Sequence, residues 1–318
     1  MKIFKTVLAI LMILVMSACT NKEAVNIEEL RIMYAPLTEV DDILSLTRDL
    51  GYDLQREMAS RGFNIGKVTI TVAPSVEDAA LALLENRVDL AWLSAVEYCR
   101  YSDKLGLLAA GTLPELTVNS AKPTDWNAGY DITDEKTASY RTLIITTNRE
   151  LITRFDAGEK LKWEDISNLT WELSDSRYSP DGFMAAAKWL SDEFGKAMTD
   201  IKYLRVFDGY RMTALLNGEA DIAAINGYTL LLANSYNRDT DLTALYRIIG
   251  VTDKFAYDPL CYNSKNEILK DRRMRKALIE VLESLENMYC YDYNGIKEIS
   301  DLEYKAMKKA LNIIDELN

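Results

Sequence analysis

Short apolar runs and longer amphipathic segments alternate along this chain, and the two patterns predict strands and helices in turn. Residues 30–34, 67–72 and 88–93 are compact runs bounded by turn-forming residues, which is typical of buried strands. Between the first two runs, apolar residues recur at every third or fourth position and predict one face of a helix: Ile43, Leu46, Leu50, Leu54 and Met58. Strands that alternate with helices of this length indicate an α/β fold with a largely parallel sheet.

One segment of this pattern occurs twice and predicts two similar lobes. Residues 82–91 (ALLENRVDLA) and 214–223 (ALLNGEADIA) both give the end of a helix, a tight turn, an aspartate and a buried strand. The aspartate, Asp89 or Asp221, precedes the strand in both copies. That end of the strand lies away from the expected cleft, so a role in the turn is favoured over a role in ligand binding.

The longest unbroken apolar run, residues 7–15, follows two lysines and precedes the sequence MSAC at positions 16–19. A basic start, a short apolar stretch and small residues are typical of a secretory signal peptide, whereas a membrane span needs about 20 apolar residues. A cysteine directly after Ser-Ala resembles a bacterial lipobox. This implies that residues 1–18 are removed, that Cys19 is lipidated and that residues 19–29 form a tether. The alternative is an ordinary signal peptide with a cysteine nearby.

Charge and composition exclude several classes of function. Removal of the signal peptide takes two of the 37 basic residues and none of the 49 acidic ones, so 35 basic residues face 49 acidic ones and the net charge is −14. Such acidity argues against nucleic acid as a partner. The chain has no histidine, which removes the usual general base and the commonest metal ligand. We therefore predict no catalytic residues, no metal and no cofactor.

The cysteines of the predicted mature chain do not indicate a disulfide framework. Beyond Cys19 there are three, Cys99, Cys261 and Cys290, and they are widely spaced with no C-x-x-C pair. Each is predicted to be a small buried residue rather than a reactive thiol.

Residues 179–183 (SPDGF) open a predicted helix and allow two interpretations. Serine is a good N-cap, proline is favoured at the first helical position, and an acid in the first turn complements the helix dipole by about 0.3–1 kcal/mol. A helix start also offers N–H groups to a ligand. Aromatic faces attract cations, and several tyrosines lie at predicted strand ends or in predicted cleft loops: Tyr34, Tyr98, Tyr140, Tyr210 and Tyr228.

The order of these segments resembles the phosphate/phosphonate solute-binding proteins of ABC importers. The likeness covers roughly residues 30–285. It rests on the order and spacing of several segments, which begin with a strand–proline–helix unit and include a strand leading to Tyr98, a central strand, a helix start and later turns. These segments are residues 30–61, 88–98, 140–141, 179–183, 218–223 and 258–259. The resemblance implies a type II-like periplasmic binding fold with the ligand in a cleft between two lobes. Such clefts lie at the carboxyl ends of strands and at helix starts.

The resemblance and the repeat together predict the division of the chain. We expect two similar α/β lobes with mostly parallel sheets, joined by a two-strand hinge near residues 140–147 and 247–251. The first lobe comprises residues 30–140 plus 248–318, and the second comprises residues 141–247.

The resemblance also implies which residues bind the ligand. Tyr98 matches a family tyrosine that contacts ligand, Ser94 lies in the preceding turn, and residues 179–183 match the family's Ser-Thr-Ser-Gly-Tyr phosphonate cradle. The complete set of candidate ligand-binding residues is Tyr34, Ser94, Tyr98, Tyr140, Ser176, Ser179, Asp181, Gly182, Asp208, Tyr210 and Asn226.

The chain departs from the family within that cradle. Pro180 replaces a threonine and removes both a hydroxyl and an N–H donor, and Asp181 replaces a serine and adds a negative charge. A phosphonate dianion beside Asp181 is disfavoured unless Arg211 or Arg177 compensates for that charge. An amine-bearing or zwitterionic ligand is therefore expected.

The expected function is capture of a small polar ligand outside the cytoplasm and its delivery to the membrane permease of an ABC importer, by a lipid-anchored monomer that is not an enzyme. A ligand-sensing lipoprotein of the same fold is the alternative, because fold alone does not fix function. A less favoured alternative is an extracytoplasmic enzyme that uses paired carboxylates. Neighbouring permease and ATPase genes would separate the first two functions, and turnover of a bound ligand would identify the third.

Overall fold

The computed structural model describes residues 24–206, 211–236, 242–285 and 290–317, and its two main sheets belong to two lobes. In spatial order, the strands of the first sheet are β13 (Ile296–Lys297), β4 (Leu105–Gly111), β12 (Pro259–Asn263), β3 (Leu90–Trp92), β1 (Val25–Tyr34) and β2 (Phe63–Val72). The strands of the second sheet are β11 (Arg247–Ala256), β7 (Ser139–Thr146), β10 (Ile222–Asn226), β8 (Thr170–Leu173) and β9 (Tyr203–Val206). A separate hairpin pairs β5 (Leu113–Leu116) with β6 (Ile132–Thr137).

Helices surround both sheets. In the first half of the chain they are α1 (Val40–Leu46), α2 (Leu50–Ser60), α3 (Val76–Leu84), α4 (Ala95–Tyr101), α5 (Pro123–Asn127), α6 (Arg149–Asp156) and α7 (Trp163–Ser167). In the second half, a π-helical turn (Pro180–Met184) leads into α8 (Ala185–Phe194), and the later helices are α9 (Arg211–Leu216), α10 (Gly227–Tyr236), α11 (Glu267–Lys270), α12 (Arg272–Ser284) and α13 (Lys305–Asp315). Short 3-10 turns are Met198–Asp200, Leu242–Ala244 and Asp301–Tyr304.

The two sheets share one spatial arrangement of four strands, which confirms the predicted pair of α/β lobes. In the first sheet β1 pairs in parallel with β2 and β3, and β12 lies antiparallel beside β3. In the second sheet β8 pairs in parallel with β9 and β10, and β7 lies antiparallel beside β10. Both sheets are therefore mixed, because each contains a strand that runs against its parallel unit: β12 follows that unit in the chain, whereas β7 precedes it.

The repeated aspartates hold the same place in the two lobes. The backbone N–H of Arg31 in β1 donates to Asp89 at 2.9 Å, and that of Thr170 in β8 donates to Asp221 at 3.0 Å. Each carboxylate thus bonds the neighbouring parallel strand, β1 or β8, level with the start of β3 or β10. The prediction that these aspartates belong to the turns is confirmed.

The structural repeat extends beyond the ten residues that the sequence pattern shows. The side chain of Asn266, which caps α11, donates to Asp89 at 3.0 Å, and that of Asn148, which caps α6, donates to Asp221 at 3.4 Å. These asparagines follow the antiparallel strands β12 and β7. The equivalent unit in each lobe therefore includes an antiparallel strand and its following helix, which are far from the aspartate in sequence.

The passage between the lobes lies outside the strands that were predicted to form it. From Arg247 to Ala256, β11 pairs with β7 within the second sheet, whereas the sequence assigned residues from 248 onward to the first lobe. The N–H of Tyr257 donates to the carbonyl of Ala138 at 2.9 Å. Because β7 and β11 pair along their length in the second sheet, the two chain passages lie side by side near residues 138 and 257.

The C-terminal helix α13 packs on both lobes. Its apolar face contacts α4 of the first lobe and α8 of the second, and its buried side chains are Met307, Ala310, Leu311 and Ile314. Burial of a large side chain of this kind contributes about 1.5–3 kcal/mol. Tyr304, directly before the helix, donates its hydroxyl to the carbonyl of Tyr257 at 2.7 Å. The helix therefore adds a third connection to the two passages between the lobes.

Candidate functional site

A cavity of about 550 Å³ lies between the lobes and is lined by both. The first lobe and the passage at 256–258 contribute Leu37, Val76, Ser94, Ala95, Val96, Glu97, Arg100, Ala256, Tyr257, Asp258 and Tyr293, and the second lobe contributes Tyr140, Tyr178, Pro180, Asp181 and Asn226. Larger cavities of about 620 and 890 Å³ are lined by other residues and contain none of the predicted ligand-binding residues. The cavity between the lobes is therefore the candidate binding site.

On the first lobe, N–H groups at the start of α4 are already hydrogen-bonded to carboxyl and hydroxyl groups of the protein. Ser94 is the N-cap and accepts the N–H of Glu97 at 3.1 Å. The N–H of Ala95 donates to Asp258 Oδ1 at 2.8 Å, and the hydroxyl of Tyr293 donates to Asp258 Oδ2 at 2.8 Å. Burial raises the pKa of Asp258, and the hydrogen bond from Tyr293 opposes that shift.

On the second lobe, the SPDGF segment forms the helix start that its sequence predicts. Ser179 accepts the N–H of Gly182 at 3.3 Å. A Cβ on Gly182 would lie 2.7 Å from Ser174 and 2.8 Å from the guanidinium of Arg211, so the close packing here requires glycine. Both Ser179 and Gly182 thus shape the turn that carries Asp181.

The charge of Asp181 is matched by Arg211, one of the two arginines predicted to compensate for it. Arg211 Nη2 lies 2.7 Å from Asp181 Oδ2, and its Nε donates to the carbonyl of Ala224 at 2.8 Å. The side chains of Arg211 and Asp181 are 16% and 29% exposed, so the pair is only partly accessible to water. The pair presents little net charge to the cavity.

Three tyrosines form a continuous aromatic wall. The rings of Tyr140 and Tyr257 lie 4.9 Å apart with a tilt of 30°, and those of Tyr257 and Tyr293 lie 5.4 Å apart, edge to face. Burial raises the pKa of all three phenols, which therefore remain protonated at neutral pH. The wall is aromatic and carries no negative charge of its own.

Glu97 and Arg100 of α4 complete the charged lining. Arg100 Nε lies 3.4 Å from Glu97 Oε1, and its guanidinium lies 4.5 Å from the ring centroid of Tyr178 on the second lobe. Glu97 Oε2 is buried and has no hydrogen-bond partner among the described residues. Burial raises the pKa of Glu97, and Arg100 opposes that shift. An interior carboxylate oxygen is thus left available for a donor.

The structure brings some of the predicted residues to the cavity and leaves others elsewhere. Ser94, Tyr140, Asp181 and Asn226 line it, and Ser179 and Gly182 support its wall. Asn226 accepts the N–H of Tyr228 at 2.9 Å and caps the end of β10.

Tyr34, Tyr98 and Ser176 do not line the cavity. Tyr98 is buried in the first lobe, where its ring lies 4.7 Å from that of Tyr304 and its hydroxyl donates to Asp301 at 2.5 Å. Tyr34 is the last residue of β1, and its side chain is fully buried in the core of the first lobe. Ser176 is exposed on the loop before the helix start. Asp208, Tyr210 and Cys19 lie outside the described residues.

Sequence reasoning missed Asp258, Glu97, Tyr257 and Tyr293 as cavity residues. Asp258 follows β11 in the passage between the lobes, and its partner Ala95 is 163 positions away. A signal for Asp258 existed in the Asp-Pro pair at 258–259, which interrupts an otherwise apolar segment.

We predict that Gly111→Ala disturbs this wall through Tyr293. A Cβ on Gly111 would lie 2.3 Å from Tyr293 Cδ2, so the ring, whose hydroxyl bonds Asp258, must shift. Overpacking of this kind lowers the free energy of unfolding by about 1–3 kcal/mol. The matched control is Gly51→Ala in α2, where a Cβ would have ordinary contacts with Val68 at 3.4 Å or more. Urea unfolding measures both, and equal stability of the two variants contradicts the prediction.

A two-lobed α/β fold with a cavity lined by both lobes defines a bilobal binding protein. The sequence matches the family described as "ABC transporter, phosphonate, periplasmic substrate-binding protein" over residues 32–304. The chain belongs to this family, which confirms the resemblance seen in the sequence. The family is one of transport proteins rather than enzymes, and it implies a small-molecule ligand and an ABC permease as partner.

Solved structures share the fold at low sequence identity. The Mycoplasma hyorhinis protein Mh-p37 has a TM-score of 0.59 and 13% identity, over 89% of this chain and 98% of that chain. A Xanthomonas citri protein bound to ATP has a TM-score of 0.56 and 10% identity, over 91% and 98%. Prochlorococcus marinus PhnD1 in complex with methylphosphonate has a TM-score of 0.52 and 11% identity, over 91% and 99%.

Three further findings are negative. No curated protein sequence matches the chain significantly. Within the four described ranges, no helix combines the length and apolar character needed to cross a membrane. In the same ranges, no three or more cysteine, aspartate or glutamate side chains form a group that could hold a metal ion.

Proposed function

We propose that this protein is the lipid-anchored solute-binding component of an ABC importer and that its ligand carries an amine or a heteroaromatic cation, in a zwitterion where an anionic group is also present. It binds the ligand between the lobes outside the cytoplasm and delivers it, as a monomer, to the permease. Membership of the family supports the transport role. The charge of the cavity lining supports the ligand class.

The observation that carries the ligand class is the excess of carboxylates around the cavity. Glu97, Asp181 and Asp258 line it, and Arg100 is the sole arginine or lysine among the described lining residues. Arg211 compensates for Asp181 from outside the lining. An oxyanion entering this cavity meets net negative charge, whereas a cation is attracted to it.

The aromatic wall adds to this preference. The ring faces of Tyr140, Tyr257 and Tyr293 attract a cationic group by about 0.5–2 kcal/mol per favourable contact. Arg100 of α4 supplies a positive group to the same cavity, which suits the anionic end of a zwitterion. The lining thus offers separate places for the two ends of such a molecule.

The fold by itself does not select the ligand. Of the structural neighbours, one is bound to ATP, one is in complex with methylphosphonate, and Mh-p37 is proposed to transport thiamine pyrophosphate. Because the same architecture holds such different molecules, the residues that line the cavity of this chain decide what it binds.

We predict that the lobes close on the ligand, because the two passages near residues 138 and 257 form a hinge beside the cavity. Native mass spectrometry of protein purified without refolding should detect a co-purified small molecule with an amine or heteroaromatic cation. Small-angle scattering should show a smaller radius of gyration after that molecule is added back to stripped protein. An unchanged radius at saturation contradicts the solute-binding function.

A further inference from the structure

Asp258 lines the cavity and holds groups that an anionic ligand would otherwise use. Its carboxylate accepts the N–H of Ala95, at the first residue of α4, and the hydroxyl of Tyr293, both at 2.8 Å. These two donors bond the two oxygens of one carboxylate at the first-lobe wall. In a cavity that binds an oxyanion, two convergent donors of this kind are available to the ligand. Here a carboxylate of the protein already occupies them.

Asp258 differs from Asp181, the carboxylate on the opposite wall. Asp181 forms an ion pair with Arg211, whereas Asp258 has no ion pair within the part of the chain that the structure describes. Its hydrogen bonds come from a neutral N–H and a neutral phenol, so its negative charge is stabilised but not cancelled. The charge of Asp258 therefore acts on whatever enters the cavity.

We propose that Asp258 determines the charge selectivity of the cleft: it occupies the convergent donors that an oxyanion would need and presents negative charge to a cationic group of the ligand. This inference rests on the proposed solute-binding function and names the residue that sets its ligand class. The ligand is a small molecule with an ammonium, quaternary ammonium or heteroaromatic cation that lies between Asp258 and the tyrosine wall. A bare phosphate or phosphonate is excluded.

The position of the tyrosines supports this role. Tyr293 donates to Asp258 and is in edge-to-face contact with Tyr257, whose ring in turn contacts Tyr140. A cation beside Asp258 therefore lies close to three aromatic rings, which attract it without adding charge. Carboxylate and aromatic rings act on the same part of the ligand.

The test is a calorimetric titration of two anions, inorganic phosphate and methylphosphonate, into full-length protein from which bound ligand has been removed. Asp258→Ala frees both donors and removes the charge, so it should bind at least one of the anions about tenfold or more tighter than the wild type does. Asp258→Asn keeps the volume and an acceptor for Ala95 and should show a smaller gain. Asp134→Asn removes one exposed carboxylate that is not part of the cavity lining and should show none.

Tetramethylammonium is the complementary probe, and its affinity should fall in both Asp258 variants but not in Asp134→Asn. Thermal unfolding establishes that each variant is folded, and Asp258→Asn serves if Asp258→Ala is not. The inference is overturned if neither Asp258 variant gains anion affinity over the wild type, or if the wild type itself closes around phosphate. The latter result would leave the solute-binding function intact. A protein that closes around no co-purified molecule contradicts the proposed function instead, whatever the Asp258 variants bind.

Discussion

Replacement of Arg211 by methionine is expected to lower the free energy of unfolding by about 2–3 kcal/mol, because it leaves the carboxylate of Asp181 without a partner in a poorly solvated site. A fully buried pair would lose more, but the exposed fractions of 16% and 29% let water take over part of the interaction. The variant also loses the hydrogen bond from Nε to the carbonyl of Ala224. Urea unfolding measures the change.

A double-mutant cycle separates the ion pair from the other contacts of Arg211. Adding Asp181→Asn to Arg211→Met removes the unpaired charge and should restore part of the lost stability. The matched control is Arg56→Met, whose partner Asp53 lies 2.9 Å away but whose own side chain is 53% exposed. That change should cost less than about 0.5 kcal/mol. Equal effects of Arg211→Met and Arg56→Met would show that the pair at the cavity wall has no special role.

Features governed by neighbouring residues could be predicted from the sequence. The serine cap at Ser179 follows a rule that operates over three or four positions, and the structure shows it. The repeated turn revealed two lobes. In each lobe an aspartate of that turn accepts a backbone N–H of the neighbouring parallel strand, and this produces the same local sequence pattern. These features need no knowledge of which distant segments meet.

Features that depend on distant contacts could not be predicted in this way. Tyr98 lies on the short helix α4. The sequence of that helix does not show that the ring of Tyr98 faces Tyr304, more than 200 positions later, instead of the cavity. Strand β11 is apolar and extended, but only its pairing with β7 shows that it belongs to the second sheet. Asp258 became recognisable as a site residue only through Ala95 and Tyr293.

Replacement of Cys19 by serine is expected to move the protein almost completely from the membrane fraction to the soluble extracytoplasmic fraction. A single acyl chain binds a membrane only marginally, with an association constant of about 10⁴ M⁻¹, so stable anchoring requires at least two chains on this residue. The full chain, expressed in a bacterium that processes lipoproteins, would be tested by fractionation after salt washing and by mass spectrometry of the mature N-terminus.

The matched control for this substitution is Cys99→Ser, which makes the same chemical change at a buried thiol and should leave the protein on the membrane. Identical partitioning of Cys19→Ser and wild type contradicts the anchor and leaves the alternative of an ordinary signal peptide. The anchor also has a geometric consequence. Strand β1 begins at Val25, so a lipid on Cys19 would hold the first lobe within roughly 20 Å of the membrane surface, given six residues at about 3.3–3.6 Å each. Such a short tether would keep the binding protein concentrated beside its permease, which would make delivery effectively intramolecular along the membrane.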